Sequence, residues 1–171
     1  MSGGDALPVG GPVRIRHSVR GILLTDDHEI LLCRHIAAAG QVVWVVPGGG
    51  IEKGETLLSA LGRELMEEVG FAVEGRPPHV WHRQMLAVDH LPGYDGVIHD
   101  YFLVRTAAFD ARGTMSDEEL AAENITGLRW WPVPEIVGYR GPDLFAPRDL
   151  GMLLTELITT GVPAAPVSLG P

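Results

Sequence analysis

Three glutamates, Glu64, Glu67 and Glu68, stand close together behind a run of three glycines, Gly48-Gly49-Gly50. At about 100° per residue, a helix through them places Glu67 roughly 60° to one side of Glu64 and Glu68 roughly 40° to the other, so three carboxylates share one narrow arc. Leu58, Leu61, Leu65 and Val69 fall on the adjoining arc and give the helix a stripe to bury. Like charges at i,i+4 cost an isolated helix roughly 0.2–0.5 kcal/mol per pair, so the cluster calls for a cation or for full hydration. Hard divalent ions such as Mg²⁺ bind through one or two carboxylates plus substrate phosphates; a solvated helix face is the plainer alternative for the glutamates alone. The glycines permit positive φ and close approach of a ligand beside a helix N-terminus that favours anions, although an ordinary tight turn would use the same run. Arg63, next to Glu64 and four residues before Glu67, can hold the carboxylates in register.

The elements that must position these groups follow from pattern. His17–Leu24 and Ile30–Arg34 are strands joined by a turn at Thr25–His28, and Val42–Val46 is a third strand ending at Pro47. The helix runs over Thr56–Val69. Val80–Val88 and Val97–Thr106 are two more strands, and Ser116 with Glu119 forms a capping box for a short helix inside the long connection Ala107–Gly127. Leu128–Trp131 is a last strand, and Pro147 takes the first position of a C-terminal helix that buries Leu150, Leu153, Leu154, Leu157 and Ile158. Met1–Pro12 and Gly161–Pro171 read as flexible tails around one domain at residues 13–160. Hairpins mixed with two substantial helices predict an α/β (α+β) fold, with helices on both faces of a mixed central sheet.

Composition narrows the function. The 171 residues are 46% hydrophobic and 20% charged, which suits a single globular domain. No apolar run approaches the roughly 18 residues of a membrane span, and the N-terminus lacks a secretory signal pattern. The one cysteine, Cys33, suits a reducing cytoplasm and allows no internal disulfide. A net charge of −9 disfavours a nucleic-acid polymer as partner, while twelve arginines against one lysine leave forked donors for a small phosphorylated molecule. Seven histidines are scattered without the spacing of metal ligands.

The stretch Gly49–Phe71, GGIEKGETLLSALGRELMEEVGF, resembles the Nudix box. Gly49, Glu55, Arg63, Glu64, Glu67, Glu68 and Gly70 fill its fixed identities and Leu65 its first apolar slot; Phe71 is the one departure, a bulky residue at the closing aliphatic position. With each identity at a frequency of roughly 5–10%, a chance match at one location is on the order of one in a hundred million. The surrounding strand order, and the strand at Arg129-Trp130-Trp131-Pro132, extend the resemblance over most of Val13–Thr160. It implies an α/β/α sandwich and a Mg²⁺-dependent hydrolase, with Mn²⁺ as a substitute, cleaving a pyrophosphate linkage in a nucleoside diphosphate joined to another group. Family members are often dimers, which makes a homodimer an expectation here.

By the same resemblance Glu64, Glu67 and Glu68, with the Gly48 carbonyl, hold the metal, and Arg63 orients Glu64 and pairs with Glu55. The family takes its general base either from the box or from a later glutamate; of Glu118, Glu119 and Glu123, Glu123 is preferred because it lies shortly before Trp130. Arg20, Arg34 and Arg83 are candidates for phosphate contact. Trp131, Trp130, Trp81 and Tyr101 are candidates for stacking on a base, against a core role for each. His99-Asp100 is a candidate pocket wall. Two rivals share the fold: a non-catalytic nucleotide-sensing module, disfavoured because every carboxylate of the box is intact, and an isoprenoid-diphosphate isomerase, disfavoured because Cys33 lies in a strand rather than in the loop before the box. A P-loop is excluded, since no Gly-Lys-Ser/Thr follows the glycines.

Overall fold

The computed structural model describes residues 11–86 and 92–171. Most of the expected N-terminal tail, the far end of the strand expected over Val80–Val88 and the start of the linker that follows it therefore lie outside the described residues.

Strands β1 (Ile15–Leu24) and β2 (Glu29–Ile36) are joined by the turn read at Thr25–His28. They pair at Leu24 and Ile30 beside that turn and then part onto different partners. β1 runs parallel to β6 (Gly96–Arg105) along its whole length, from Ile15 opposite Gly96 to Leu24 opposite Arg105. β2 takes β3 (Val42–Val45) on one side and β7 (Ile125–Pro132) on the other, both antiparallel. β5 (His79–Leu86) closes on β6. The result is a curled mixed sheet whose two lobes diverge where β1 leaves β2.

Each face of the sheet carries a core. Val19, Leu23, Leu31 and Phe102 pack under Leu61, Leu65 and Val69 of helix α1 (Leu57–Val69), all close to fully buried. Full burial of each such side chain stabilises the fold by roughly 1.5–3 kcal/mol. On the other face Ile22, Leu32, Trp44 and Trp131 pack with Leu150, Leu154 and Leu157 of α4 (Leu150–Thr160). Thr56 caps α1 reciprocally with Ser59, and Gly70 ends it in the left-handed region. The Ser116/Glu119 box does cap a helix, α2 (Asp117–Ala122).

Four features depart from the sequence reading. Gly48–Gly50, read as a segment open to close ligand approach or as an ordinary tight turn, forms a short strand β4 against Ser18–Arg20 of β1. Leu144–Ala146 forms β8, parallel to β3, and it carries extended chain up to Pro147. The C-terminal helix therefore starts at Leu150, with Asp149 rather than Pro147 at its boundary. A short helix α3 (Val133–Val137) precedes them. Lastly, the segment read as a flexible C-terminal tail runs back along the sheet: β9 (Val167–Leu169) pairs with Trp81–Arg83 of β5. Arg83 Nε donates to the Gly170 carbonyl at 3.1 Å. That pairing covers an edge that would otherwise expose unpaired backbone groups.

Candidate active site

Arg63 is the hub of the acidic cluster. Its Nε and Nη2 grip Glu55 at 2.7 and 2.9 Å, Nη1 donates to Glu64 at 2.8 Å and to Glu67 at 3.3 Å, and Nη2 also reaches the Gly50 carbonyl at 2.9 Å. One planar fork thus ties the loop before α1 to the helix and to β4, which a lysine could not do. Arg63 holds Glu55 low, to about 2. Glu64 is pushed the other way by burial, with Arg63 opposing.

Glu68 lies deeper, 5% exposed. Its Oε2 accepts from the Gly48 amide at 2.9 Å, and the Cys33 thiol faces the same oxygen at 3.9 Å. Burial raises Glu68 to about 7 against the favourable field of Arg20 and the Gly48 hydrogen bond. Cys33 is pushed well up by burial and by Glu68, so the thiol stays protonated at neutral pH. Arg20 Nη1 donates to the carbonyls of Val46 at 3.2 Å and Gly48 at 3.0 Å. Gly48 is therefore held from both ends, its N–H by Glu68 and its carbonyl by Arg20.

Arg20, Gly48, Arg63, Glu64, Glu67 and Glu68 line a cleft of about 540 Å³. Glu123, at the end of α2, also lines it, as do Arg16, His35, Glu52, Met115 and Asn124. Sequence spacing carries no sign of Arg16 or His35, which arrive from β1 and β2; the alternation of those strands from Arg20 and Cys33 is the available signal. Burial and Arg20 lower His35 to about 4, so it enters the cleft as a neutral imidazole.

A family model described as the NUDIX domain matches residues 15–153. The chain belongs to this family. Among curated Nudix relatives, the human 8-oxo-dGDP phosphatase NUDT18 is 35% identical over 77 residues, covering 41% of this chain and 24% of that protein. The RNA pyrophosphohydrolase of Helicobacter pylori (strain G27) is 33% identical over 101 residues, covering 54% and 64%. The chain thus spans less than two thirds of the length of either relative. The solution structure of the E. coli ORF135 protein, 24% identical, shares the fold with a TM-score of 0.63 over 91% of this chain and 100% of that one.

Of the Nudix-box residues, Gly49, Arg63, Glu64, Glu67 and Glu68 line the cleft and Arg63 holds Glu55 beside them; of the three later glutamates Glu123 lines the cleft, whereas Glu119 is committed to capping Ser116. The substrate-contact readings fare differently. Arg34 alternates away from Cys33 and His35 and donates to Thr126 on β7 at 2.9 Å; it is not at the cleft. Trp131 is a core residue, 2% exposed. It is enclosed edge-on by Trp44 and Phe145, each at 5.1 Å, with the Arg129 guanidinium 3.7 Å over its ring. No face is left for a base. Trp81 and Tyr101 are core as well, and Trp130 Nε1 donates to the Phe109 carbonyl. Cys33 lies in β2, as read, and is buried there, 1% exposed.

Two expected results arise here. A Cβ at Gly49 would stand 2.6 Å from the Glu64 carboxyl carbon. Because that carboxylate ends a flexible side chain, Gly49→Ala should fold normally yet displace Glu64 and lower kcat/KM by about 10-fold to 100-fold; Tm and kcat/KM measured side by side check this. His99 is held neutral, its basicity lowered to about 3 by burial first and then by Arg20, Arg83 and Arg16, with Asp100 opposing. A lowered folded value means that stability is full above the unfolded value near 6.5 and is lost as pH falls below it. His99 should thus remove about 2 kcal/mol between pH 7 and pH 5, and urea unfolding of His99→Asn at both pH values should show a correspondingly smaller difference.

Proposed function

We propose that this protein is a divalent-metal-dependent hydrolase of a pyrophosphate linkage in a nucleoside diphosphate joined to another group. The observation that carries the reading is the assembly of Glu64, Glu67, Glu68 and Glu123 in one cleft, with Arg63 ordering the first two. The donor set suits Mg²⁺, with Mn²⁺ able to substitute: its members are hard oxygens, and the missing side chain of Gly49 is what lets the Glu64 carboxylate lie against β4. Glu64, Glu67, Glu68 and the Gly48 carbonyl would hold the ion. Bound there, it supplies charge neutralisation at phosphate oxygens and a lowered pKa for water.

The protein's own groups do the rest. Arg63 fixes Glu64 and Glu67, and the Gly48 amide fixes Glu68, so the carboxylates meet substrate already oriented. Arg16 and the remaining N–H groups of Arg20 face the cleft and can bind phosphate oxygens. Glu123, in the lining of the same cleft, accepts the proton of the attacking water. The net charge of −9 favours a small nucleotide substrate over a polymer, which makes the relative named as an RNA pyrophosphohydrolase a useful contrast.

The test is incubation with Mg²⁺ and a panel of nucleoside di- and triphosphates, nucleotide sugars, ADP-ribose, dinucleoside polyphosphates and a 5′-triphosphorylated RNA, with products separated by chromatography. Mg²⁺-dependent cleavage of one small-molecule class is expected. Tight binding of one compound with no cleavage in Mg²⁺ or Mn²⁺ would overturn the hydrolase in favour of a nucleotide-sensing module.

A further inference from the structure

Away from the cleft, three histidines converge on one buried carboxylate. Asp100, on β6 and 3% exposed, receives His82 Nδ1 on Oδ1 at 2.7 Å, with His79 Nε2 2.8 Å from the same oxygen and His17 Nε2 2.5 Å from Oδ2. The scattered spacing of these residues along the chain carries no sign of this. In a regular strand, residues 79 and 82 would point to opposite faces. β5 instead carries a bulge: between His79 and Trp81 it advances two residues while its partner on β6 advances one, from Phe102 to Tyr101. That extra residue turns both rings to the face that Asp100 occupies, the kind of re-aiming for which bulges are retained near functional sites. His17 reaches the same carboxylate from β1, on the other side of β6.

Two further observations point to a ligand. His79 Nε2 is buried and makes no hydrogen bond despite its nearness to Oδ1, so its lone pair or N–H has no aligned partner. Its ring is held by stacking on Phe102, at 4.8 Å and 19°. The donor atoms of His79, His82 and Asp100 all lie within 4.8 Å of one another. The side chains of His79 and His82 are 29% and 36% exposed, which leaves a route from solvent.

We propose that His79, His82 and Asp100 form a second metal site, for a transition-metal ion of the Zn²⁺ class, with His17 holding the far carboxylate oxygen. Two imidazoles and one carboxylate are the donor set such ions take, whereas Mg²⁺ prefers an all-oxygen shell. Donors around a tetrahedral ion with bonds of about 2.0–2.1 Å stand about 3.3 Å apart, farther than hydrogen-bonded atoms, so each ring must move off the carboxylate by about 0.6 Å; their partial exposure allows this. Binding displaces the proton between His82 Nδ1 and the Asp100 carboxylate. His17 then plays the orienting part that a hydrogen-bonded partner plays for a ligating carboxylate. The site shares no residue with the lining of the acidic cleft.

Zn²⁺ titration of the untagged protein by calorimetry, in excess Mg²⁺ so that the carboxylate cleft does not compete, tests the proposal; the visible absorption of Co²⁺ reports the ligand set. One equivalent of Zn²⁺ should bind. His82→Gln and His79→Gln, both partly exposed positions whose folding circular dichroism can verify, should each weaken binding about 100-fold or more, while Glu68→Gln should leave it within about twofold. Absence of Zn²⁺ binding to the wild type would overturn the site and leave a hydrogen-bond network only. Loss of binding in Glu68→Gln with none in the histidine variants would overturn it in favour of the acidic cleft. A failure of the hydrolase reading would show in turnover, which this titration does not use.

Discussion

Glu68→Gln should lower Mg²⁺-dependent turnover by more than about 100-fold while making the metal-free protein more stable at alkaline pH. The activity loss follows from the oxygen set: Glu68 is the most buried carboxylate of the cleft and the one fixed by the Gly48 amide, and even partners one step removed from a metal ligand are worth about 10-fold to 100-fold. The stability gain follows from burial, which raises Glu68 to about 7. A carboxyl raised above its unfolded value favours the fold only while protonated. Its contribution is full below pH 4.5 or so and is lost as pH rises through about 7. At pH 8 in a chelator the ionised side chain therefore costs on the order of 3 kcal/mol that glutamine does not, since the amide oxygen can still accept from Gly48. Paired measurements of kcat with Mg²⁺ and of urea unfolding with chelator at pH 6 and pH 8 check both halves. A variant that is inactive and also less stable at pH 8 would count against the buried-charge account.

Gly48→Ala is the substitution expected to damage the fold most. Gly48 sits at φ 142°, where side chains are rarely accommodated, and a Cβ there would collide with the Val19 carbonyl oxygen and stand 2.9 Å from Arg20 Cα. Both obstacles are backbone of β1, so no side chain can swing away. Strain and the broken β4–β1 pairing together should cost roughly 3 kcal/mol, a fall in Tm of about 6–12 °C for a domain of this size. Turnover should fail even where the protein still folds, because the same residue orients Glu68 through its N–H and meets Arg20 through its carbonyl. Thermal melts and kcat on the refolded fraction separate the two effects. The contrast with Gly49→Ala, which meets a movable carboxylate instead of backbone, makes the pair informative.

Much of the acidic site is legible in the amino-acid sequence because it is local. Helical period alone groups Glu64, Glu67 and Glu68 beside the stripe of Leu61, Leu65 and Val69, and the chain supplies Glu55 and Arg63 at the offsets that let one arginine bind Glu55, Glu64 and Glu67. Periodicity likewise locates β1, β2, β3 and both long helices, and local capping chemistry locates α2. The missing apolar run has its counterpart in the fold: among the described residues no helix is long and apolar enough to cross a bilayer.

Features that depend on distant partners are not legible in this way. Nothing near Gly48–Gly50 says that β1 will take them as a strand, and nothing near Val167–Leu169 says that β5 has an open edge. Arg34 and Trp131 are plausible contacts by residue type, but strand alternation turns one toward Thr126 and the sheet's second core encloses the other. Glu123 joins the cleft, and Glu118 and Glu119 do not, because of where α2 docks. The histidines make the point most sharply, since one bulged residue in β5 decides whether His79 and His82 share a face. Residue identity and helical period are properties of neighbours along the chain, and they suffice to locate the box. Register, burial and cross-strand meeting are set by which segments pair after long loops close, so they exist only once the whole chain has folded.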